Sequence, residues 1–97
     1  VHNSAPVFYK STAKVENSLI ADDCVIEGTV INSILSRGVY VGPGAVVKNS
    51  VLFKKTTVGK NALVNCIVTD KDVTISEGVQ LSGNENMPFY IQKGRKI

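Results

Sequence analysis

One short phrase returns along the chain at almost constant spacing, and it limits the fold more than any other feature. It reads Asn17-Ser18-Leu19-Ile20, Asn32-Ser33-Ile34-Leu35, Asn49-Ser50-Val51-Leu52 and Asn65-Cys66-Ile67-Val68, so its asparagines stand 15, 17 and 16 residues apart. A repeat of that length is too short for a helix pair or a propeller blade. Each unit is one small coil.

A finer period lies inside the unit. Aliphatic residues sit six apart in Ile20/Ile26, Leu35/Val41, Val41/Val47, Leu52/Val58, Val58/Val64 and Ile75/Leu81. Four positions after the leading aliphatic comes a small or β-branched residue, at Cys24, Val39, Ala45, Thr56, Ala62 and Val79, which suits a confined interior. Six residues make one short strand and a corner, and three such sides close a triangular coil of roughly eighteen residues. The expected fold is therefore all-β, a parallel β-helix built of hexapeptide repeats, with about four full coils plus a partial fifth.

Stacking places each coil about 4.8 Å above the last and aligns equivalent side chains into ladders. One ladder is expected to be Ile26, Val41, Val58 and Ile75, and the next Ile31, Val47, Val64 and Leu81. On the third side the doublets Leu19-Ile20, Ile34-Leu35, Val51-Leu52 and Ile67-Val68 leave the inward member open. No single coil can bury its own apolar face, so stability is a sum over neighbouring coils.

Corner residues fit the same scheme. Gly44, Asn61 and Gly78 stand three residues past an aliphatic of the first ladder, with Gly28 joining them if the first unit lacks one residue. Gly and Asn accept positive φ most cheaply, so this column marks a left-handed corner conformation. Gly42 and Gly59 begin a second column that Glu27 and Ser76 interrupt. The hand of the coil does not follow from spacing, since ordinary parallel crossovers are right-handed. Resemblance to hexapeptide proteins implies a left-handed parallel β-helix.

Three regions result. Residues 1–14 lack the repeat and read as an extended lead-in or linker from a missing N-terminal domain, with Phe8 and Tyr9 expected to cap the first coil. Residues 15–81 hold the helix. Residues 82–97 hold a turn-rich loop, Ser82 to Pro88, and a terminal partial coil in which Ile91 and Ile97 are again six apart.

Few residues suggest chemistry. The Asn column reads as a hydrogen-bonded ladder at a corner rather than a binding track. Asp22-Asp23 and Asp70-Lys71-Asp72 read as solvated turns, because a hard cation needs several converging oxygens and these pairs lie about three coils apart. Cys24 and Cys66 are separated by the same stacking distance, beyond the ~7 Å that a disulfide tolerates, so both are expected to be free thiols. Lys93, Arg95 and Lys96 surround a basic corner, either solvated or the site of an anionic effector.

Larger classes of function are narrowed by what the sequence carries. A net charge of +3 is spread over scattered corners without the basic stripe and stacking aromatics of a nucleic-acid groove. No apolar run approaches the ~18 residues that span a bilayer, and no basic-then-apolar leader opens the chain. Acyltransferases of hexapeptide type need a histidine base and zinc hydratases several histidines, whereas the single histidine here is His2. No Gly-rich strand-to-helix loop could cradle phosphates, so no catalytic, metal or cofactor residue is assigned.

The run from Ser18 through Ile26-Glu27-Gly28-Thr29-Val30, then Asn32 to Val39, Val41-Gly42 and Ala45-Val46-Val47-Lys48-Asn49-Ser50, resembles the C-terminal β-helix domain of bacterial glucose-1-phosphate adenylyltransferases. The likeness covers about Val15 to Leu81. The tail, with Pro88 and Ile91-Gln92-Lys93-Gly94, looks more like the glycogen-biosynthesis partner subunit of that family than the catalytic one. That family joins glucose 1-phosphate to ATP, releasing pyrophosphate and forming ADP-glucose for glycogen. Its catalytic residues lie in an N-terminal nucleotidyltransferase domain, while its β-helix serves tetramer assembly and allosteric control. The resemblance therefore implies a cytoplasmic, non-catalytic assembly and regulatory domain whose partners are that missing N-terminal domain and sister subunits. It implies no nucleic acid, membrane or cofactor. Two other classes remain open: the coil domain of another sugar nucleotidyltransferase or acyltransferase, and a purely structural module.

Overall fold

The computed structural model describes residues 5–97, so His2 lies outside the described residues. Fifteen short strands and no helix occur among them, and they form three parallel five-stranded sheets. Sheet one contains β1 (Phe8–Tyr9), β4 (Val25–Ile26), β7 (Tyr40–Val41), β10 (Thr57–Val58) and β13 (Thr74–Ile75). Sheet two contains β2 (Lys14–Glu16), β5 (Thr29–Ile31), β8 (Val46–Lys48), β11 (Leu63–Asn65) and β14 (Gln80–Ser82). Sheet three contains β3 (Leu19–Ile20), β6 (Ile34–Leu35), β9 (Val51–Leu52), β12 (Ile67–Thr69) and β15 (Phe89–Ile91). Every third strand returns to the same sheet, as a parallel β-helix requires. The chain makes four turns from β1 to β13, and β14, β15 and a last rung pairing Lys96 with Thr74 carry it into a fifth.

The interior is mainly aliphatic. Ile26, Val41, Val58 and Ile75 stack in register on sheet one and are all 0% exposed, which is the ladder expected from the six-residue period. Each such burial is worth about 1.5–3 kcal/mol. Sheet two departs from expectation at its first member. Val30, not Ile31, pairs with Val47 and is buried, and Ile31 faces outward beside Lys48. The cause is a short corner: Ile26 and Val30 are four residues apart, against six in Val41/Val47. Strand alternation then turns Ile31 away from the core.

That short corner also removes Gly28 from the left-handed column. Positive φ occurs at Gly44 (73°), Asn61 (59°) and Gly78 (74°), as the sequence suggests, and Gly28 is not among the positive-φ residues. A Cβ on Gly28 would instead strike the carbonyl oxygens of Ala45 and Gly42 in the coil above. Gly42 and Gly59 serve the same purpose, since a Cβ on Gly59 would lie 2.6 Å from the Glu77 nitrogen. Their column is one of close approach, not of unusual φ.

On sheet three the inward members are Ile20, Leu35 and Leu52, each pairing with the next, and the place above Leu52 belongs to Thr69. The fourth phrase is thus displaced by one residue. The corner before sheet three holds Asn17, Asn32, Asn49 and Cys66 at φ 46°, 49°, 50° and 56°, so Cys66 occupies the backbone position of the asparagines. Ile67 is consequently buried, and Val68 pairs with Val51 on the outside. Thr69 brings a hydroxyl into the core, where it lies 2.8 Å from the Thr56 hydroxyl and accepts from the Phe53 N–H at 3.2 Å.

Phe8 and Tyr9 lie against the first coil, as expected, and they do so as a strand. They form β1, extend sheet one beside β4 and remain about half exposed, while Val7, Ala13 and Val15 pack on the core there. The sheets thus begin within the segment expected to be a lead-in. At the other end Asn84 and Met87 exchange main-chain bonds in a tight loop, Met87 is exposed, and Leu81, Val79 and Ile97 contact the core.

Candidate functional site

Two polar ladders run beside sheet three. The first is of asparagine amides at the corner: Asn17 Nδ2 donates to Asn32 Oδ1 at 2.6 Å, Asn32 to Asn49 at 3.4 Å, and Asn49 to Asn65 at 3.4 Å. Asn65 then donates to the Ser82 hydroxyl at 3.2 Å. Although Cys66 has taken the corner position, the Asn65 side chain reaches across and keeps the row continuous. The amides hydrogen-bond one another along the corner, the ladder expected from the sequence.

The second ladder is of serine hydroxyls. Ser18 Oγ accepts the N–H of Ser33, Ser33 Oγ that of Ser50, and Ser50 Oγ that of Ile67, at 3.0, 3.2 and 3.1 Å. Each hydroxyl donates in turn to the carbonyl two residues earlier, Glu16, Ile31 or Lys48. Ser33 and Ser50 are 2% exposed, so these bonds satisfy main-chain groups that water cannot reach. This role was missed in the sequence, although serine in the repeated phrase was its signal.

Acidic and sulfur groups are likewise tied into the fold. Asp23 accepts from the Ala5 N–H at 2.6 Å and lies 3.6 Å from the Arg37 guanidinium. The Asp70 carboxylate accepts from the Lys71 N–H at 2.7 Å and the Tyr90 hydroxyl at 2.9 Å, which holds it below the usual carboxylate range. The same bond to Asp70 raises the Tyr90 phenol. Cys24 and Cys66 are free and buried; burial pushes the Cys24 thiol up, and its proton faces the Ser36 carbonyl at 3.1 Å. Glu27 accepts a short hydrogen bond from Tyr40.

The basic corner spreads over the last coil. Lys93 precedes Gly94, whose N–H bonds to the Lys71 carbonyl, so Lys93 stands in the column of Asp22, Arg37, Lys54 and Lys71. Lys96 pairs with Thr74 on sheet one. Arg95 alone of the three lines a shallow hollow, together with Phe89, Tyr90, Ile91, Gln92 and Ile97.

Parallel coils with an aliphatic core and six-residue sides define a hexapeptide-repeat β-helix. The chain belongs to the GlmU-like, C-terminal hexapeptide family, whose model matches residues 5–87. It is 50% identical over 94 residues to the glycogen biosynthesis protein GlgD of Bacillus subtilis, covering 97% of this chain and 27% of that protein. The GlgD of Geobacillus stearothermophilus is equally similar over the same span. A glucose-1-phosphate adenylyltransferase of Geobacillus stearothermophilus is 48% identical over 46 residues, 47% of this chain and 12% of that enzyme. The chain thus spans about a quarter of the length of the GlgD proteins that it matches.

Proposed function

We propose that this chain is the assembly and regulatory β-helix of a glycogen-synthesis protein related to glucose-1-phosphate adenylyltransferase, acting in the cytoplasm beside an N-terminal nucleotidyltransferase domain and sister subunits. The observation that carries the reading is likeness to GlgD along nearly the whole chain, at half identity. The geometry supports a scaffold: the Asn, Ser, Asp23 and Asp70 side chains hold coils together, and the Cys24 thiol is buried. Lys93, Arg95 and Lys96 give the last coil a positive field in which an anionic effector would be attracted, with Arg95 beside the hollow.

Deleting the whole 97-residue segment from the full-length parent tests the reading. The expected result is loss of subunit assembly by sedimentation and a flattened effector response, while the purified segment makes no ADP-glucose from ATP and glucose 1-phosphate. Unchanged assembly and an unchanged effector curve overturn it. Charge reversal at Lys93, Arg95 and Lys96 tests the anion site through the effector curve, with sedimentation of the same variant separating a lost effector response from lost assembly.

A further inference from the structure

Sheet three carries an outward row unlike those of the other sheets. Leu19, Ile34, Val51, Val68 and Tyr90 lie in register, one per coil. The equivalent row of sheet one starts with Phe8, Val25 and Tyr40 but turns polar at Thr57, Thr74 and Lys96, and that of sheet two sets Val46 and Leu63 among Lys14, Thr29 and Gln80, so only the row on sheet three is apolar from end to end. Leu19 is 69% exposed, Ile34 46% and Tyr90 53%, and Phe53, also exposed, flanks the row. Four rises of ~4.8 Å give an apolar strip about 19 Å long on a flat parallel sheet. A contiguous strip of this kind marks an interaction surface.

Charge along its edges says what covers it. One edge is the asparagine ladder, which is neutral. The other edge carries Asp22 and Asp23 on the first coil, Arg37 on the second, Lys54 and Lys55 on the third, Asp70, Lys71 and Asp72 on the fourth, and Lys93 and Arg95 on the fifth. The end coils are therefore opposite in sign, and so are the net charges of the second and fourth.

We propose that two copies of this chain pack antiparallel, face to face, through the outward row of sheet three. A two-fold axis in the plane of the interface and perpendicular to the helix meets the requirement that residue i contact j and j contact i. Leu19 then meets Tyr90, Ile34 meets Val68, and Val51 meets its own copy. Asp22 and Asp23 face Lys93 and Arg95 at both ends, and amides face amides along the other edge. Arg37 meets Lys71, although Asp70 and Asp72 flank that lysine and make its coil net negative, and Lys54 and Lys55 meet like charge at the centre. A parallel arrangement would instead set the charged edge against the neutral one, and the end charges would go unused. The inference rests on the assembly reading above and names the surface and the partner.

Sedimentation velocity of the 97-residue chain over a wide range of concentrations tests it. The native chain should form a dimer, and Ile34→Lys should weaken it at least about tenfold while the circular dichroism melt stays cooperative. The double reversal Asp22→Lys with Asp23→Lys should be monomeric, as should Lys93→Glu with Arg95→Glu. An equimolar mixture of those two chains should regain the dimer, because each restores the opposite end of the other. A native chain that stays monomeric overturns the proposal, as does a mixture that fails to associate. If deletion still disperses the full-length parent while this chain remains monomeric, the assembly reading stands and this surface falls.

Discussion

The main-chain N–H of Ser50 donates to the hydroxyl of Ser33 at 3.2 Å, one coil away, where both residues are almost fully buried. Because Ser50 repeats the arrangement toward Ile67, a single hydroxyl links main-chain groups of successive turns. Ser50→Ala would strand the Ile67 N–H and remove a donor from the Lys48 carbonyl. Urea unfolding followed by circular dichroism should show a loss of about 1–3 kcal/mol. Ser18→Ala, at the less buried start of the ladder, should cost less.

The glycines separate two kinds of constraint. Gly78 has φ +74° and open space around a Cβ, so Gly78→Ala should cost about 1–2 kcal/mol from conformation alone. Gly59 has ordinary φ, but its Cβ would press on the backbone of Ser76 and Glu77, and Gly59→Ala should cost about 2–3 kcal/mol. Lys60→Glu, on an exposed corner, should stay within about 0.5 kcal/mol. Thermal melts of the three variants check the order, and equal midpoints would contradict the corner assignments.

Acid should release one tie at the last coil. Asp70 is held below its unfolded range, chiefly by the Lys71 N–H and then by Tyr90. Its contribution is present above the unfolded carboxylate range, near pH 4, and is lost as pH falls through the folded value. Tyr90 is raised by the same bond, so its contribution is present below about pH 10 and lost as pH climbs through the folded value. Melting temperatures of the native chain and Tyr90→Phe, taken across pH, should differ most between those limits and converge at low pH.

Both cysteines should react with a thiol reagent after unfolding without reductant. In the folded chain Cys24 should react slowly even in mild alkali, because burial keeps its thiol protonated above the usual range. Mass spectrometry of reagent-treated peptides distinguishes the sites. Finding either one already oxidised would contradict the separation of their coils.

The ladder from Ile26 to Ile75 was legible because the six-residue period survives there without interruption. Ile31 was misplaced because two residues are missing from a corner, where no apolar side chain marks the gap, and both Val30 and Ile31 are β-branched. The shift at Cys66 was hidden in another way: Asn65 keeps the amide row continuous with its side chain after its backbone has left the column. Lys55 and Cys66 adopt positive φ without being Gly or Asn, so residue type gave no notice of those corners. The buried serines were visible only as part of a repeated phrase, because which hydroxyl meets which N–H is decided by stacking.

The corner spacing makes the domain's height a quantity counted in whole turns. Asn32, Asn49 and Cys66 occupy the same left-handed position 17 residues apart. Excising Ser33 to Asn49 would join Asn32 directly to Ser50, leaving another asparagine before another serine and the remaining rows in phase. Duplicating the same stretch would lengthen the column by one step of ~4.8 Å. A chain built this way can act as a ruler, setting how far apart it holds whatever is attached at its two ends, and gene-level gain or loss of one turn would adjust that distance while the corner rows stay in phase.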